Sequence, residues 1–577
     1  MWLDDVGEAL WGEAEGDDPD DALALDGEKP PDVSAEELAR LDLVSDRHEV
    51  ERLLSMNAIR RPKDGEDLSK YSRLSTKLVR DWRKRPMWVR RSRLVAREFK
   101  SWSPWSQELF APSSSLAVCH GLIAQAQAFG LELTTLDQKD AYLNVPQKAP
   151  VIIEVDSRAF EDGPCRMEQF ILERLLPGQR VAAGEWFGFI TDILKDGSLE
   201  SFPKEPTLFR RAGPGDLMGL VLHADDGLSA STREAREELK AKLEEKVVVQ
   251  FSEPLVNVGD ELEFLKRRYV LEEEGVIMYC SNKHVDGLLA ALGHNIKYRE
   301  TPADQSFLEK DNTPELPDVK ACLGYSGEGL CGSGGKAILE SVTDADWGGD
   351  KASRRSKTSA QIFLGGSLLS SFVRSQRSVA QSSGESEFIA SVAGAGEMLY
   401  VKECMEFLLK GAAEIEAVAR TDSAAGRGIS QRIGCGRVRH LDCGLLWLQD
   451  AVKKGALKIG SIPGAKNTPD VGTKPLSGPK LKELLWRSGA VNDEGQRYGE
   501  EEAKEAEHKA NIRNIVARSG LGPRYGKQVL PVLLILAQIL GNDNVAHHCD
   551  CHGGFSSFYM VVLAQFVESC VEQDTNV

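Results

Sequence analysis

The segment from residue 342 to residue 390 limits the possible folds more than any other part of the chain. It begins with Thr-Asp-Ala-Asp-Trp-Gly-Gly-Asp and ends with Ser-Ser-Gly-Glu-Ser-Glu-Phe-Ile-Ala. Between these acidic ends lies an apolar run that is broken by Gly365 and Gly366, which predicts a hairpin. A carboxylate at a strand end and another at the start of a helix would then converge. We therefore expect two acids of this segment, one from each end, to share one metal site.

Length and composition predict a multidomain globular protein inside the cell. A chain of 577 residues holds about three to four domains at ~150 residues each. Apolar residues make up 41% of the chain and charged residues 28%, which is typical of globular proteins with some mobile segments. The 11 cysteines lack paired spacing, and no signal peptide is evident. We therefore expect a reducing, intracellular location, cytoplasmic or nuclear, and no secretion.

The net charge of −18 is distributed unevenly along the chain. Residues 1–59 contain 18 acidic and 4 basic residues, whereas residues 60–100 contain 15 basic and 5 acidic ones. Because nucleic acid binds to a local basic patch, the acidic total does not exclude a nucleic-acid partner. We interpret residues 1–59 as an acidic, largely disordered leader with one helix near residues 34–56. Ser34 is its expected N-cap, and Glu37 completes a capping box.

Two apolar stretches in the middle of the chain end in carboxylates. Residues 131–137 alternate in polarity and predict a strand that ends at Asp137, where burial is costly without a cation or another partner. Residues 217–230 read as two short strands about Asp225 and Asp226, whose mutual repulsion a divalent cation would relieve. Taken singly, a helix cap or an ordinary Asp-Asp-Gly turn explains each motif as well.

Together, these motifs resemble the Pol polyprotein of copia-type retrotransposons, in which a reverse transcriptase is joined to an RNase H domain. The resemblance covers residues 88–302 and 340–486. It implies an α/β fold class, with an α+β palm-type polymerase domain followed by an RNase H-like α/β domain. The implied organisation is a leader (1–59), a reverse transcriptase (60–302), a shortened Gly-rich connection (303–339), an RNase H-like domain (340–486) and a tail with a charged linker and apolar helices (487–577).

For the polymerase, the resemblance implies that Asp137, Asp225 and Asp226 are catalytic and bind metal. Tyr142 would crowd the sugar 2′ position and favour deoxynucleotides. His223 stands where the family usually has a tyrosine, a departure that concerns the primer more than the metal. Arg91 and Arg93 of the basic strand are also implied to contact nucleotide or template, and a solvated basic face is the alternative. The same contact is implied for Gln179 and Arg180 after Gly178, where a simple Pro-Gly turn is the alternative.

For the RNase H domain, the resemblance implies four metal-binding, catalytic carboxylates. The neighbouring Asp346 and Glu385 rank below them, and His440 would contact the hybrid or brace the last strand. Mg²⁺, with Mn²⁺ as the other candidate, suits such a site. One ion would activate a water for in-line attack on the RNA and the other would stabilise the leaving oxygen. The four implied ligands are Asp344, Glu387, Asp422 and Asp470.

The sequence departs from the family pattern between Pro302 and Asp344, where the connecting passage is short and Gly-rich. We interpret this as a deletion, either in the history of the element or in gene prediction. The polymerase would then lack a complete thumb, which makes its activity uncertain. Sequence signatures of a retroviral-type protease or of an integrase zinc cluster were not found, so neither activity is predicted.

The resemblance leads to one main functional hypothesis and two alternatives. The main hypothesis is an RNA-directed DNA polymerase with RNA–DNA hybrid ribonuclease activity, whose partners are an RNA template, a DNA primer, the hybrid and dNTPs. The alternatives are a catalytically decayed remnant that binds nucleic acid through residues 60–100, and an interaction protein built from the leader and tail. In the tail, residues 529–540 are apolar but shorter than the ~20 residues that cross a bilayer. Residues 547–552 contain His and Cys without zinc-finger spacing.

Overall fold

The computed structural model describes residues 30–85, 87–98, 112–159, 164–211, 213, 216–273, 275–279, 322–325 and 336–491, together with seven positions between residues 497 and 507. Helices and sheets are mixed throughout these residues, which confirms the predicted α/β fold class. No helix within the described ranges is long and apolar enough to cross a membrane. The predictions for residues 1–29, for most of the Gly-rich connection and for the tail after residue 507 lie outside the described residues.

The N-terminal region is a helix packed against a long hairpin. Its elements are α1 (Ala35–Ser55), β1 (Ile59–Arg60), β2 (Ser72–Leu74), β3 (Thr76–Arg85) and β4 (Met87–Ala96). The predicted N-cap is confirmed, because Ser34 Oγ accepts a hydrogen bond of 3.1 Å from the Glu37 amide. Strands β3 and β4 pair with each other in antiparallel register over their whole lengths.

Acidic residues of α1 neutralise bases of this hairpin. Asp46 lies 2.6 Å from Arg80, and Asp42 lies 2.6 Å from Arg90. Leu41, Val50 and Leu53 of the helix are buried. The predicted helix near residues 34–56 is therefore confirmed, and it is a folded part of the hairpin region because its acids have partners in β3 and β4.

The central region is a six-stranded sheet with helices packed on it. Its elements are α2 (Leu116–Phe129), β5 (Glu132–Gln138), β6 (Val151–Asp156), β7 (Met167–Leu172), α3 (Ala182–Asp196), β8 (Leu199–Phe202), β9 (Glu205–Arg211), β10 (Gly219–His223), β11 (Asp226–Ser231), α4 (Arg233–Glu244) and β12 (Val249–Phe251). The sheet order is β12-β5-β11-β10-β9-β8. We call it the palm-type sheet. The two predicted strands about Asp225 and Asp226 are confirmed as the antiparallel hairpin of β10 and β11.

Two smaller sheets accompany the palm-type sheet. In the first, the order is β1-β7-β6-β2. In the second, β13, β14, β15 and β16 pair in sequence order, each antiparallel to the next. The bounds of these last strands are Glu261–Phe264, Arg267–Glu272, Gly275–Tyr279 and Cys322–Tyr325.

The third region is an RNase H-like sheet covered by one long helix. Its elements are β17 (Lys336–Ala345), β18 (Lys357–Leu364), β19 (Ser367–Ser375), α5 (Ser383–Leu409), β20 (Glu414–Thr421), α6 (Ala424–Gln431), α7 (Trp447–Lys453) and β21 (Lys458–Ser461). The order is β19-β18-β17-β20-β21, with β20 parallel to both of its neighbours. The predicted hairpin is confirmed, since Gly365 and Gly366 join β18 to β19 with φ angles of 56° and 87°.

Helix α2 lies between the palm-type sheet and α5, and one hydrophobic core includes all three. Leu122 of α2, Val221 of β10 and Met405 of α5 are buried in that core. Lys204 and Glu403 form an ion pair of 2.5 Å across the same junction. The guanidinium of Arg210 lies 4.2 Å from the centre of the Phe407 ring. The central region, which we call the polymerase-like region, and the third region, which we call the RNase H-like region, are therefore packed on each other within one compact unit.

A second compact unit contains described residues from Lys474 onward. Within it the structure describes helix α8 (Gly478–Arg487) and the short strand β22 (Ala490–Val491). Glu483 forms ion pairs of 2.9 Å with Lys480 and 3.0 Å with Arg487 along one side of the helix. The pairs follow the i,i+3 and i,i+4 spacing at which helical side chains meet.

Candidate active sites

Three carboxylates converge at one edge of the RNase H-like sheet. Asp344 lies near the end of β17, Asp422 directly follows the neighbouring parallel strand β20, and Glu387 lies in the second turn of α5. Oxygen atoms of these three side chains lie within 4.8 Å of one another. Carboxylate oxygens at this spacing can coordinate a single divalent cation such as Mg²⁺. The sequence order of strand, helix and strand therefore brings together three of the four acids expected here.

Asp344 is held by neighbouring donors. Its side chain is fully buried, and it accepts hydrogen bonds from Asn467 Nδ2 at 3.1 Å and from the Thr473 hydroxyl. Asn467 Nδ2 also donates to Asp470 Oδ1 at 2.8 Å. The fourth expected acid is thus connected to Asp344 through an amide, although it lies outside the group of three oxygens. Sequence reasoning did not identify Asn467 and Thr473 as part of the site. The sequence shows only that an amide and a hydroxyl side chain lie three residues on either side of Asp470.

The two acids that ranked below their neighbours have other contacts. Glu385 is buried and accepts hydrogen bonds of 2.8 Å from the Gln381 amide and from His440 Nε2. Asp346 accepts a hydrogen bond from the Lys357 amide, and burial raises its pKa, as does the charge of Asp344. His440, which is predicted to contact the hybrid or brace the last strand, contacts Glu385 at the start of α5.

The palm-type sheet brings the other three expected acids together. Asp137 of β5 is the direct cross-strand partner of Asp226 in β11, and Asp225 precedes Asp226 in the turn. Burial, together with the charges of Asp225 and Asp137, raises the pKa of Asp226 to about 6. Lys139 Nζ lies 3.1 Å from Asp137 Oδ2. Across the described ranges, only the RNase H-like acids reach the mutual oxygen spacing of 4.8 Å.

The β10–β11 turn that carries Asp225 has several polar supports. Ala224 adopts a φ of 58°, and its carbonyl accepts a hydrogen bond of 3.0 Å from Trp186 Nε1. The Asp225 carbonyl accepts a hydrogen bond of 3.0 Å from the Gln138 amide. His223 Nδ1 lies 2.9 Å from Ser114 Oγ. The histidine that departs from the family pattern is therefore tied to the segment before α2.

Two of the expected nucleotide-binding residues lie near the palm acids. Tyr142 is half-buried, and its pKa is raised by burial and by the charge of Asp225. Burial raises the pKa of Asp225, and the charge of Arg93 partly offsets that rise. Arg93 Nε is buried and makes no hydrogen bond within the part of the chain that the structure describes. Arg91 lies two residues away on the same face of β4.

The loop that carries Gln179 and Arg180 packs closely on β4. Gln179 is buried, its Oε1 accepts a hydrogen bond of 2.6 Å from the Leu176 amide, and its Nε2 donates to Gln147 at 3.2 Å. Both polar atoms of the Gln179 side chain are therefore hydrogen-bonded within the protein, as expected if the segment is a simple turn. The Arg180 amide donates to Glu98 Oε2 at 2.9 Å.

Gly178 allows this close approach and borders an open cleft. Its φ is 90°, and a Cβ atom there would lie 2.3 Å from the Ala96 carbonyl oxygen. Only glycine fits such a contact. The adjoining cleft has a volume of about 560 Å³ and is lined by Lys77, Ala96, Arg97, Glu98 and Gly178.

A curated relative and a solved structure are similar to this chain. No protein-family model matches the chain. The chain is 23% identical over 439 residues to the retrovirus-related Pol polyprotein from transposon TNT 1-94 of Nicotiana tabacum. This alignment covers 66% of the chain but only 32% of that relative. Among solved structures, a foamy viral protease-reverse transcriptase in complex with double-stranded DNA matches with a TM-score of 0.41 and 10% identity, covering 78% of this chain and 74% of that one.

The tobacco relative is a Pol polyprotein of a transposon, the class of protein that the sequence motifs resemble. The chain spans about a third of the length of that polyprotein, so it corresponds to one part of it. The predicted similarity of this chain to a retrotransposon Pol polyprotein is thereby confirmed.

Proposed function

We propose that the chain is an RNA–DNA hybrid ribonuclease whose active site is formed by Asp344, Glu387 and Asp422. The observation that carries this proposal is the convergence of their carboxylate oxygens within 4.8 Å at the ends of two parallel strands and the start of α5. Asp470 is the fourth member of the site, next to Asp344 through their shared hydrogen-bond donor Asn467.

The three clustered acids would hold Mg²⁺, with Mn²⁺ as the other candidate. When bound, the metal supplies an activated water for attack on the RNA phosphodiester and stabilises the charge on the leaving oxygen. Asn467 and Thr473 donate hydrogen bonds to Asp344, which fix the orientation of its carboxylate. The Glu385–His440 contact holds the first turn of α5, directly before the turn that carries Glu387.

We further propose an RNA-directed DNA polymerase activity at Asp137, Asp225 and Asp226. The antiparallel pairing of Asp137 with Asp226 and the raised pKa of Asp226 support a shared acidic site. Tyr142 would contact the sugar of the incoming dNTP, and Arg93 its phosphates. The RNA template, the DNA primer and dNTPs are the expected partners, and we expect the protein to act inside the cell.

Cleavage of a labelled RNA–DNA duplex tests the ribonuclease proposal. The full chain should cleave the RNA strand in Mg²⁺, and Asp344→Asn or Asp422→Asn should reduce cleavage to background. Asp450→Asn is the matched control, because Asp450 is an exposed acid on α7 that pairs with Lys454. Binding of the duplex by the wild-type chain without cleavage would contradict the proposal and favour a decayed remnant that only binds nucleic acid.

Primer extension on an RNA template tests the polymerase proposal separately. The wild-type chain should add dNTPs, and Asp225→Asn should abolish the addition while leaving hybrid cleavage intact. A chain that cleaves the hybrid but extends no primer would overturn the polymerase proposal alone.

A further inference from the structure

A buried ionic network connects α1 to the turn that follows Asp137. Arg52 Nη1 lies 2.6 Å from Asp140 Oδ2, and Arg52 Nε lies 3.0 Å from Glu49 Oε2. The side chains of Arg52 and Asp140 are only 9% and 15% exposed. Glu49 Oε1 also accepts a hydrogen bond of 3.1 Å from the Leu94 amide in β4. Arg52 and Glu49 together therefore join α1 to the β3–β4 hairpin and to the turn after β5.

Asp140 adopts an unusual backbone conformation that this network fixes. Its φ and ψ are 51° and 40°, in the left-handed region. It precedes the short 3-10 turn Ala141–Asn144, yet its side chain makes no capping hydrogen bond to that turn. Its carboxylate points to Arg52 instead. Outside glycine, such a conformation costs energy unless neighbouring contacts determine it. The ion pair is one such contact here, and the Asp140 carbonyl also accepts hydrogen bonds from the Leu143 amide and from Asn144 Nδ2.

The same turn carries Tyr142, the residue proposed to contact the sugar. Leu143 packs in a core with Val50 and Leu53 of α1, whereas Ala141 packs in the core of the palm-type sheet. Tyr142 lies between these two anchors and close enough to Asp225 for that charge to affect its pKa. A shift of Asp140 would therefore move the Tyr142 ring relative to the acidic site.

We propose that Arg52 is a positioning residue for Tyr142. Its ion pair with Asp140 fixes the turn after β5, and this turn determines the position of the Tyr142 ring in the nucleotide site. The proposal deepens the polymerase function proposed above and rests on it for its kinetic consequences. Helix α1 would thereby take part in nucleotide selection, although Arg52 lies 88 residues before Asp140 in the sequence.

Fluorine NMR of the full chain labelled with 3-fluorotyrosine tests this positioning without requiring any activity. The chain has 10 tyrosines, and the Tyr142 resonance is assigned from its loss in Tyr142→Phe. Arg52→Met should shift or broaden that resonance, and Arg52→Lys should restore part of its position because it keeps one ion pair. The matched control is Arg40→Met, which removes an exposed pair with Glu37 on the same helix.

Asp140→Asn is the second variant in case Arg52→Met does not fold. Asparagine adopts left-handed backbone conformations readily, so it removes the charge while keeping the turn. It should move the same resonance by a smaller amount. A Tyr142 resonance that is unchanged in Asp140→Asn and in every folded Arg52 variant overturns the proposal.

Steady-state kinetics of primer extension then separates positioning from a purely structural role. Arg52→Met should raise the KM for dNTPs on the order of tenfold and lower the preference for dNTPs over rNTPs, as a misplaced sugar contact would. A structural role would reduce kcat through a smaller active fraction and leave KM and sugar preference unchanged, which contradicts the proposal. If the resonance moves but the wild-type chain extends no primer, the polymerase function fails while the fixing of Tyr142 by Arg52 stands.

Discussion

At the scale of single residues, the donors around Asp344 matter as much as the acids themselves. A fully buried carboxylate is costly unless it is hydrogen-bonded or paired. Asn467 supplies one hydrogen bond to Asp344 and one to Asp470, so a single amide holds both acids in place. Sequence reasoning could identify the acids from their order along the chain. It could not identify an amide whose importance depends on a contact between residues 467 and 344.

Replacing Asn467 should weaken the ribonuclease without unfolding the chain. Asn467→Ala removes the donor shared by the two acids, and loss of such a supporting hydrogen bond reduces metal affinity or activity by roughly 10- to 100-fold. Hybrid cleavage as a function of Mg²⁺ concentration is the measurement. Asn257→Ala is the matched control, because Asn257 also donates to an aspartate but lies in an exposed loop. Equal cleavage by both variants would show that the amide has no supporting role.

His120 should make stability depend on pH. Burial lowers its pKa to about 4, and its Nδ1 lies 2.9 Å from the Leu369 carbonyl. Between about pH 6.5 and pH 4 the unfolded chain binds the proton better, so the free energy of unfolding falls as the pH falls through this window. From pH 7 to pH 5, wild type should lose about 2 kcal/mol more than His120→Asn, which keeps a donor but does not titrate. Urea unfolding at both pH values measures this, and identical losses would contradict it.

At the scale of secondary-structure elements, α5 has two roles. Its first turns carry Glu387, and its later turns pack on α2 beneath the palm-type sheet. Gly121 of α2 permits this contact, since a Cβ atom there would lie 2.5 Å from Met405 Sδ. The stability of the RNase H-like region is therefore coupled to that of the polymerase-like region through two helices.

Met405→Ala should loosen both helices together. Met405 is fully buried, and truncation of such a side chain costs about 2–5 kcal/mol. Hydrogen exchange should become faster in α2 as well as in α5, because the cavity lies between them. Met167→Ala is the control, since Met167 is 57% exposed. Faster exchange confined to α5 would contradict the coupling.

Local sequence signals predicted much of the fold, and long-range contacts account for what they missed. The Gly-Gly hairpin, the strands about Asp225 and the N-cap at Ser34 are set by neighbouring residues and were predicted correctly. The acidic segment was assigned to a leader because its charge pattern was judged on its own. Its pairing with Arg80 and Arg90 depends on tertiary structure. The same limit hid the Arg52–Asp140 pair and the shared core of α2 and α5.

At the scale of the whole molecule, the acidic net charge of −18 hides a group of exposed bases in the loop that follows Asp344. The loop after Asp344 presents Trp347, 59% exposed, with Lys351, Arg354 and Arg355 also exposed. Its tryptophan donates a hydrogen bond of 3.0 Å to the Ala380 carbonyl, which leads toward α5. A cluster of acids repels phosphates, so bases beside it are needed for a nucleic acid to approach.

Removing two of these charges should weaken hybrid binding in a salt-dependent way. Arg354→Gln with Arg355→Gln should reduce the slope of log Kd against log salt by up to about 1.8, because each neutralised phosphate contributes about 0.9. Binding is measured in the cleavage-deficient Asp344→Asn chain. The control replaces Lys240 and Lys242 of α4, which already pair with Glu244 and Glu245. An unchanged slope in the arginine variant would show that this loop does not contact the backbone.

The central claim is that Asp344, Glu387 and Asp422 form one divalent-cation site, and electron paramagnetic resonance of bound Mn²⁺ tests it most directly. The titration is made in a chain in which Asp225 and Asp226 are changed to Asn, so that the palm acids do not contribute. We predict Mn²⁺ uptake that is lost in Glu387→Gln and kept in Glu406→Gln, an exposed position of the same helix. Equal Mn²⁺ binding with and without Glu387, or no uptake at all, would contradict the account.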